Sequence, residues 1–508
     1  MVTRRAVLTA AAMALVTGCT QGSRSLPSGV AAGAPPTSTA ALPIPPPAES
    51  RVIDGVRTFA LTVQEGQQRF KRGVPTTTWG YNGPFLGPTL RARRGERVAV
   101  DITNTLSETT TAHWHGMHLP AVMDGGPHQP ILPGTTWRAQ WLIDQPAATL
   151  WYHPHPHGET AKHVLMGLAG FFLLDDDQSV SYDLPTQYGV DDIPVVVHDR
   201  RFRPDGEFEL DAQGNEVGLL GDTLLANGVW GGVLAVVTDL VRLRLLNGST
   251  ARTYDFAFAD RRDFSLICTD GGFLAEPHST DHVRLSPGER AEILVPVEAG
   301  EEVMLRSVPP DLGAVALPRA YGGADQFDVL LLRAARTLKR LPAPTTRFSP
   351  IERFSPAHAL MTRTFELQNR EINGRRMDAG RIDEVVRVDS LELWVVTNLD
   401  LFPHNWHVHD VQFQVVDIDG APPPPELMGW KDTLYLEPRR AYRTMMRFDD
   451  YPDVTNPYMM HCHLLLHEDE GLMGQFIVTE EPPSREARRA GAQLGGASQE
   501  HGHAGRGR

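Results

Sequence analysis

Histidine and a single cysteine carry the chemistry legible in this chain. Six His-x-His pairs occur among 20 histidines: His113/His115, His153/His155, His155/His157, His407/His409, His461/His463 and His501/His503. Roughly one would be expected by chance. Side chains two apart on a strand share a face, so each pair can offer two imidazoles to one cluster. Imidazole is a good ligand for copper, zinc, iron and nickel. His461-Cys462-His463 narrows the metal. On a strand the thiolate points away from both imidazoles, so one short segment can serve two metal sites only a few bonds apart. Cys462 with His404 and His467 makes a His₂Cys set, the donor set of a blue-copper electron-transfer site. Eight further histidines (113, 115, 153, 155, 407, 409, 461 and 463) suffice for a three-copper cluster. A zinc hydrolase is the chemical rival, but it needs a carboxylate or water-activating arrangement among its ligands and has no use for His-Cys-His. His501 and His503 lie in a Gly/Ala-rich tail and read as solvated, while the lone His198, His278 and His358 read as structural.

The elements that must position these residues read as β-strands. The chain has 508 residues, a length that suits about three domains of roughly 150 residues. Its 46 Gly and 40 Pro punctuate short alternating runs. One strand pattern closing on Asn recurs three times: Arg97 to Asn104, Val241 to Asn247 and Leu393 to Asn398. The spacing predicts three domains of one kind, at 51–180, 190–335 and 352–482, each an all-β Greek-key sandwich. The first and third carry the histidine pairs, and the middle one carries none. A net charge of −14 argues against a nucleic-acid partner held through phosphates. Three cysteines cannot form a disulfide framework.

The N-terminus reads as an export signal. Arg4-Arg5, an apolar run too short to span a bilayer, and Leu15-Val16-Thr17-Gly18-Cys19 make a signal peptide over 1–19. The last five residues resemble a bacterial lipobox, with Cys19 as the lipidated residue, and Arg4-Arg5 resembles a twin-arginine signal. An exported, lipid-anchored protein of the cell envelope follows. Residues 20–50 read as an extended disordered tether and 483–508 as a disordered tail.

Four ordered motifs then carry a resemblance. His113-Trp-His115-Gly116, His153-Pro-His155-Pro-His157-Gly158, His404-x-x-His407-x-His409 and His461-Cys462-His463-x-x-x-His467 resemble those of the multicopper oxidases. The likeness runs over about residues 51–480. It is nearest to three-domain bacterial laccase-like and copper-efflux oxidases, through Asp124-Gly-Gly-Pro, Asp144-Gln-Pro-Ala-Ala, Gly429-Trp-Lys-Asp432-Thr and His467-Glu468-Asp469. The resemblance implies cupredoxin-like domains and four copper ions. Type 1 would be held by His404, Cys462 and His467, and type 2 by His113 and His407. The type 3 pair would take His115, His153, His155, His409, His461 and His463. His118, His128, His157 and His163 match no ligand position.

The implied reaction couples one-electron oxidation of small reducing substrates to reduction of O₂ to water. Glu468 and Asp124 match acidic positions near the cluster and are the candidates for proton delivery. The 14 methionines are scattered rather than clustered, and Phe402 stands at a Met position of the cuprous oxidases. Phenols and aromatic amines are therefore the expected donors, with Cu⁺, Fe²⁺ or Mn²⁺ the alternative. Asp400, four residues before His404, is expected at the type 1 edge, where it would take a phenol proton or attract a cation. At the axial position, counting from His467 gives Leu472, a residue with no donor atom, with Met473 one place later. A monomer is expected. The reading from another class is a copper-free binding protein on the same fold, which would not keep all eleven ligand positions.

Membrane attachment is testable at once. Diacylation contributes about 0.8 kcal/mol per buried CH₂. Cys19→Ala is expected to move the protein from the membrane to the soluble fraction with oxidase activity unchanged. Unaltered fractionation would indicate a plain cleaved signal.

Overall fold

Alternation of apolar and polar residues sets the strands. In Val56–Gln68 the side chains of Phe59, Leu61 and Val63 are buried while Ala60 is exposed. In Met361–Gln368, Phe365 and Leu367 do the same. Each fully buried Phe or Leu contributes about 1.5–3 kcal/mol. The computed structural model describes residues 40–70 and 74–480. The signal segment, Cys19, most of the expected tether, and the C-terminal tail with His501 and His503 lie outside them.

Six sheets pair into three sandwiches, as the repeats predict. In the first, the sheet built on Val56–Gln68, Arg97–Asn104 and Thr136–Leu142 faces the sheet Leu90–Arg93, Gly170–Asp175, Ala148–His153, His113–His115. The middle sandwich has sheets of six and five strands, and the third has two of five. Sequence neighbours are often not sheet neighbours, which is Greek-key wiring. The strand closing on Asn occupies the same place in all three. It runs parallel to an earlier strand (Val56–Gln68, Asp192–Arg200 or Met361–Gln368) and antiparallel to a later one.

The three asparagines explain their own recurrence. Each ends its strand in an Asx turn, with Oδ1 accepting the N–H two residues on: Leu106, Ser249 and Asp400. Each Nδ2 donates to two carbonyls, those of Glu108 and Ile131, of Arg252 and Leu285, and of Phe402 and Leu436. All three side chains are buried, so no water could take over these bonds.

Residues 40–50 are ordered against the sandwiches, unlike the disordered tether expected there. From residue 40 to 50 the chain is a strap laid across two domains. Leu42 enters the core of the middle sandwich, and its N–H bonds Val233 O at 2.8 Å. The prolines offer only carbonyls. Pro43 accepts from Asn227, Pro45 from Tyr188 and Pro46 from the Thr89 N–H. Among the described residues no helix is long and apolar enough to cross a membrane.

Buried polar contacts lock the sandwiches together. Arg244 of the middle unit bonds Asp192 and Glu292 and reaches Thr149, on the strand that ends in His153, at 2.8 Å. Arg290 pairs with Asp432 of the third unit at 2.6 Å. Tyr458 Oη donates to Leu119 O of the first unit at 2.7 Å.

Candidate metal centre

Two pairs of strands carry the histidines to one place. His113–His115 runs antiparallel to Ala148–His153 with His113 opposite His153. His404–Val408 runs antiparallel to Asp453–His461 with His407 opposite His461. Strand parity separates the jobs. Trp114 turns into the first core against Trp141, and Trp406 into the third core against Phe365. The flanking histidines meet between the two units. His113 stacks on His409 and His115 on His407, each at 3.8 Å between centroids.

The ring nitrogens converge in groups. His155 Nε2 and His409 Nε2 lie 3.1 and 3.2 Å from His461 Nε2. His115 Nδ1 and His463 Nε2 each lie 3.4 Å from His153 Nε2. Nε2 of His113 and of His407 is buried without a partner. For six of the rings, the second nitrogen faces an acceptor. Nδ1 of His113 donates to Asp124 O, that of His407 to Asp432 O and that of His153 to Pro154 O. His409 Nδ1 donates to Asp124 Oδ2 at 2.7 Å, and His115 Nε2 to Asp432 Oδ1 at 3.0 Å. His461 Nδ1 faces Cys462 O. Burial, reinforced by neighbouring imidazoles, holds His115, His153, His407 and His409 well below the usual histidine range. It pushes His155 and His463 down to about 3. His115, His153, His155, His407, His409 and His463 are thus neutral, and the ring nitrogens of the cluster aim at one another. Lone pairs at this separation repel unless a cation lies between them, so the donor set fits bound metal ions.

Glu468 and Asp124 sit where the sequence places them. The fully buried Glu468 has Oε1 3.3 Å from His155 Nδ1 and Oε2 3.2 Å from His461 Nδ1, one histidine from each outer unit. Burial alone would raise its pKa, but His155 and His461 hold it well below the carboxylate range. Asp432 was not assigned a role from the sequence, and it mirrors Asp124. Asp124 takes a first-unit histidine on its carbonyl and a third-unit histidine on its carboxylate, whereas Asp432 takes His407 on its carbonyl and His115 on its carboxylate. The signal available was its place in Gly429-Trp-Lys-Asp432-Thr. The middle unit also reaches the cluster. Arg290 grips Asp432, and Lys431 is held by Asp270 and Glu289 at 3.0 and 2.7 Å.

A second donor set lies inside the third sandwich. Cys462 Sγ is 3.6 Å from His404 Nδ1 and 3.5 Å from His467 Nδ1, and those two nitrogens are 2.9 Å apart. Burial pushes the thiol up to about 12, although the Asn405 N–H at 3.4 Å favours the thiolate. A coordinated cation would deprotonate it. His404 Nε2 donates to Asp400 Oδ2 at 2.9 Å and His467 Nε2 to Glu216 O at 2.7 Å, so both rings present Nδ1 to the sulfur. Asp400 differs from expectation. It is only 7% exposed and its Oδ2 is shared between His404 and the Asn369 N–H, so it orients a ligand rather than facing solvent at the site's edge. Leu472 belongs to the buried cluster that holds Cys462 and Leu464, while Met473 lines a separate cavity with Asp383 and Arg381. Of the unassigned histidines, His118 bonds Asp410, His128 bonds Gln475, His163 bonds Thr110 and His157 is exposed.

The comparisons with known proteins agree with this geometry. Models of the family described as multicopper oxidase match residues 62–179 and 350–482. Multicopper oxidase mco of Staphylococcus aureus is 34% identical over 431 residues, covering 84% of this chain and 90% of that protein. Cell division protein FtsP of Escherichia coli (strain K12) is 35% identical over 471 residues, covering 90% and 98%. The crystal structure of a laccase from Pediococcus acidilactici superposes with a TM-score of 0.80 at 33% identity, covering 88% and 95%. The chain belongs to the multicopper oxidase family. Membership implies copper, and the histidine and cysteine groups described above fit it.

Gly288 of the middle unit tests the closeness of fit. Its φ is +87°, and a Cβ there would lie 3.2 Å from His115 Cε1 and from two ring atoms of His463. Gly288→Ala is expected to lower copper content at the histidine cluster while the Cys462 site keeps its colour. Metal analysis with absorption spectroscopy checks this, and full copper content in the variant would contradict it.

Proposed function

We propose that the protein is a laccase-like oxidase that couples one-electron oxidation of phenols and aromatic amines to four-electron reduction of O₂ to water. The observation that carries the proposal is the complete set of eleven donors, with Cys462 joining its own site covalently to His461 and His463. Bound copper would supply a one-electron acceptor at His404, Cys462 and His467 and an O₂-reducing site at the eight remaining histidines, four ions in all. His113 and His407 would hold type 2, with His115, His153 and His463 on one type 3 ion and His155, His409 and His461 on the other.

The residues themselves do the rest. Cys462 supplies the shortest covalent path from the mononuclear site, through its own backbone to the adjacent imidazoles. Glu468 bridges one histidine of each unit and is the buried carboxylate best placed to pass protons to O₂ as it is reduced. Asp124 and Asp432 fix the ring orientations.

Metal-ion oxidation is the alternative for the donor. Phe402 stands against both type 1 histidines, at 5.2 and 5.7 Å between centroids, where a thioether would favour Cu⁺. Likeness to the cell division protein raises a reading without oxidase activity. The intact donor set favours the oxidase. We further infer export and lipid anchoring at Cys19, from the sequence signal alone.

Cys462→Ser is expected to abolish both the blue band and the oxidase activity of copper-loaded protein, because a hard hydroxyl cannot replace a soft thiolate. A blue, active variant would refute the site. A panel of phenols, aromatic amines and Cu⁺ or Fe²⁺ salts identifies the donor. Leu472→Met is expected to lower the type 1 reduction potential while the protein stays blue, since an axial thioether stabilises the oxidised ion. If Met473→Leu raises the potential instead and Leu472→Met has no effect, the axial residue is Met473.

A further inference from the structure

One hairpin turn touches the outer support of both type 1 histidines. Strands Met361–Gln368 and Glu371–Ile372 pair Leu367 with Ile372 and Gln368 with Glu371, leaving Asn369 and Arg370 as a two-residue loop. Both have positive φ, +53° and +65°. This is the mirror-image turn that suits a hairpin. Asn tolerates that conformation, but an arginine adopts it at a cost, which directs attention to what Arg370 holds.

The two residues act in parallel. Asn369 N–H donates at 3.0 Å to Asp400 Oδ2, the same oxygen that accepts His404 Nε2–H. Arg370 Nη2 donates at 2.6 Å to Glu216 O, the same carbonyl that accepts His467 Nε2–H. Each acceptor is therefore shared between one copper-ligand imidazole and one residue of the turn. The guanidinium is itself fixed. Its Nε donates to Glu470 Oε2 at 2.6 Å, its Nη2 lies 3.3 Å from Glu216 Oε2, and its plane rests 5.3 Å from the Phe402 ring centroid. Arg370 is 9% exposed. Glu216 belongs to a middle-unit segment whose Val217 and Leu220 are buried in the third-unit core. Arg370 thus pins a loop of one domain onto a metal ligand of another, through a fork that serves two acceptors at once.

We propose that Arg370 is a positioning residue of the mononuclear site: through the Glu216 carbonyl it fixes the orientation of His467 and, as a fixed positive charge, raises the potential of the ion held there. The effect on turnover rests on the oxidase reading, whereas the effect on His467 does not. The fork explains why arginine stands in a strained turn. A lysine could reach one acceptor but not hold both.

The test compares Arg370→Gln and Arg370→Lys with the unaltered full chain. Before copper is added, the His467 imidazole N–H proton is followed by NMR, and it is expected to exchange about tenfold faster in Arg370→Gln as the carbonyl loosens. After loading with copper, Arg370→Gln is expected to shift the blue band, lower the type 1 potential and cut kcat about tenfold for all donors, with KM unchanged. Arg370→Lys should fall between the two. Where Arg370→Gln does not fold, Glu470→Gln removes one anchor of the guanidinium and is expected to produce a smaller change of the same kind. Unchanged proton exchange, band and potential in a folded glutamine variant would overturn the proposal. A raised KM with unchanged kcat, band and potential would do so too, by making Arg370 a donor contact. A lysine variant indistinguishable from the unaltered protein would show that charge alone suffices, and would likewise overturn the positioning role. Unaltered protein that takes up copper without colour, together with faster His467 exchange in Arg370→Gln, would sink the oxidase reading and leave this inference standing.

Discussion

Eight buried imidazoles must turn their ring nitrogens toward one another, and the surrounding structure is arranged to meet that demand. Burial suppresses protonation of six of them, but burial alone would leave each ring free to rotate and offer either nitrogen. Orientation comes from the second nitrogen of each ring, which is bound to a carbonyl or a carboxylate for most of the set. Asp124 and Asp432 each serve two rings, one from their own unit and one from the opposite unit. The cluster is therefore a joint between two sandwiches, and neither outer unit contains it alone.

The middle sandwich contributes no imidazole, yet it sets the geometry from behind. Arg290 and Asp432 are both fully buried, and the pair sits beside Lys431, Asp270 and Glu289. Removing one member of such a network strands a charge, at a cost of about 3–5 kcal/mol. The same unit brings Gly288 against His115 and His463 and the Glu216 carbonyl against His467. The unit without histidine pairs is thus a scaffold that touches both candidate metal sites.

What could be read from the sequence followed from periodicity. His113/His115 and His461/His463 declare a face because strands alternate, and Cys462 declares the opposite face by the same rule. The recurring asparagine marked three equivalent strands, and the structure supplies its reason in the turn each one closes. Asp432 was less visible because its role depends on a contact 317 residues away, to His115. The Glu216 carbonyl carries no side-chain signature at all. Arg370 lies in a turn whose sequence, Asn-Arg, looks ordinary until the pairing of Gln368 with Glu371 reduces the loop to two residues. The strap over 40–50 departs from the disorder that proline-rich composition suggests, because its carbonyls find donors on two units. Prolines also make good strapping, since they offer carbonyls and do not demand acceptors for N–H groups.

Fold and metal chemistry are separable here in a physical sense. The three cores, the Asx corners and the buried arginine network at Arg244 hold together without any ion. The middle unit shows as much, since it builds the same sandwich with no imidazole pair. A relative could lose the donors and keep the architecture, so similarity of about a third of residues to both a multicopper oxidase and a cell division protein involves no contradiction. Retaining eight buried imidazoles whose ring nitrogens converge in one joint opposes folding unless a cation occupies it. Their presence in this chain is thus the feature least explained by stability and best explained by copper.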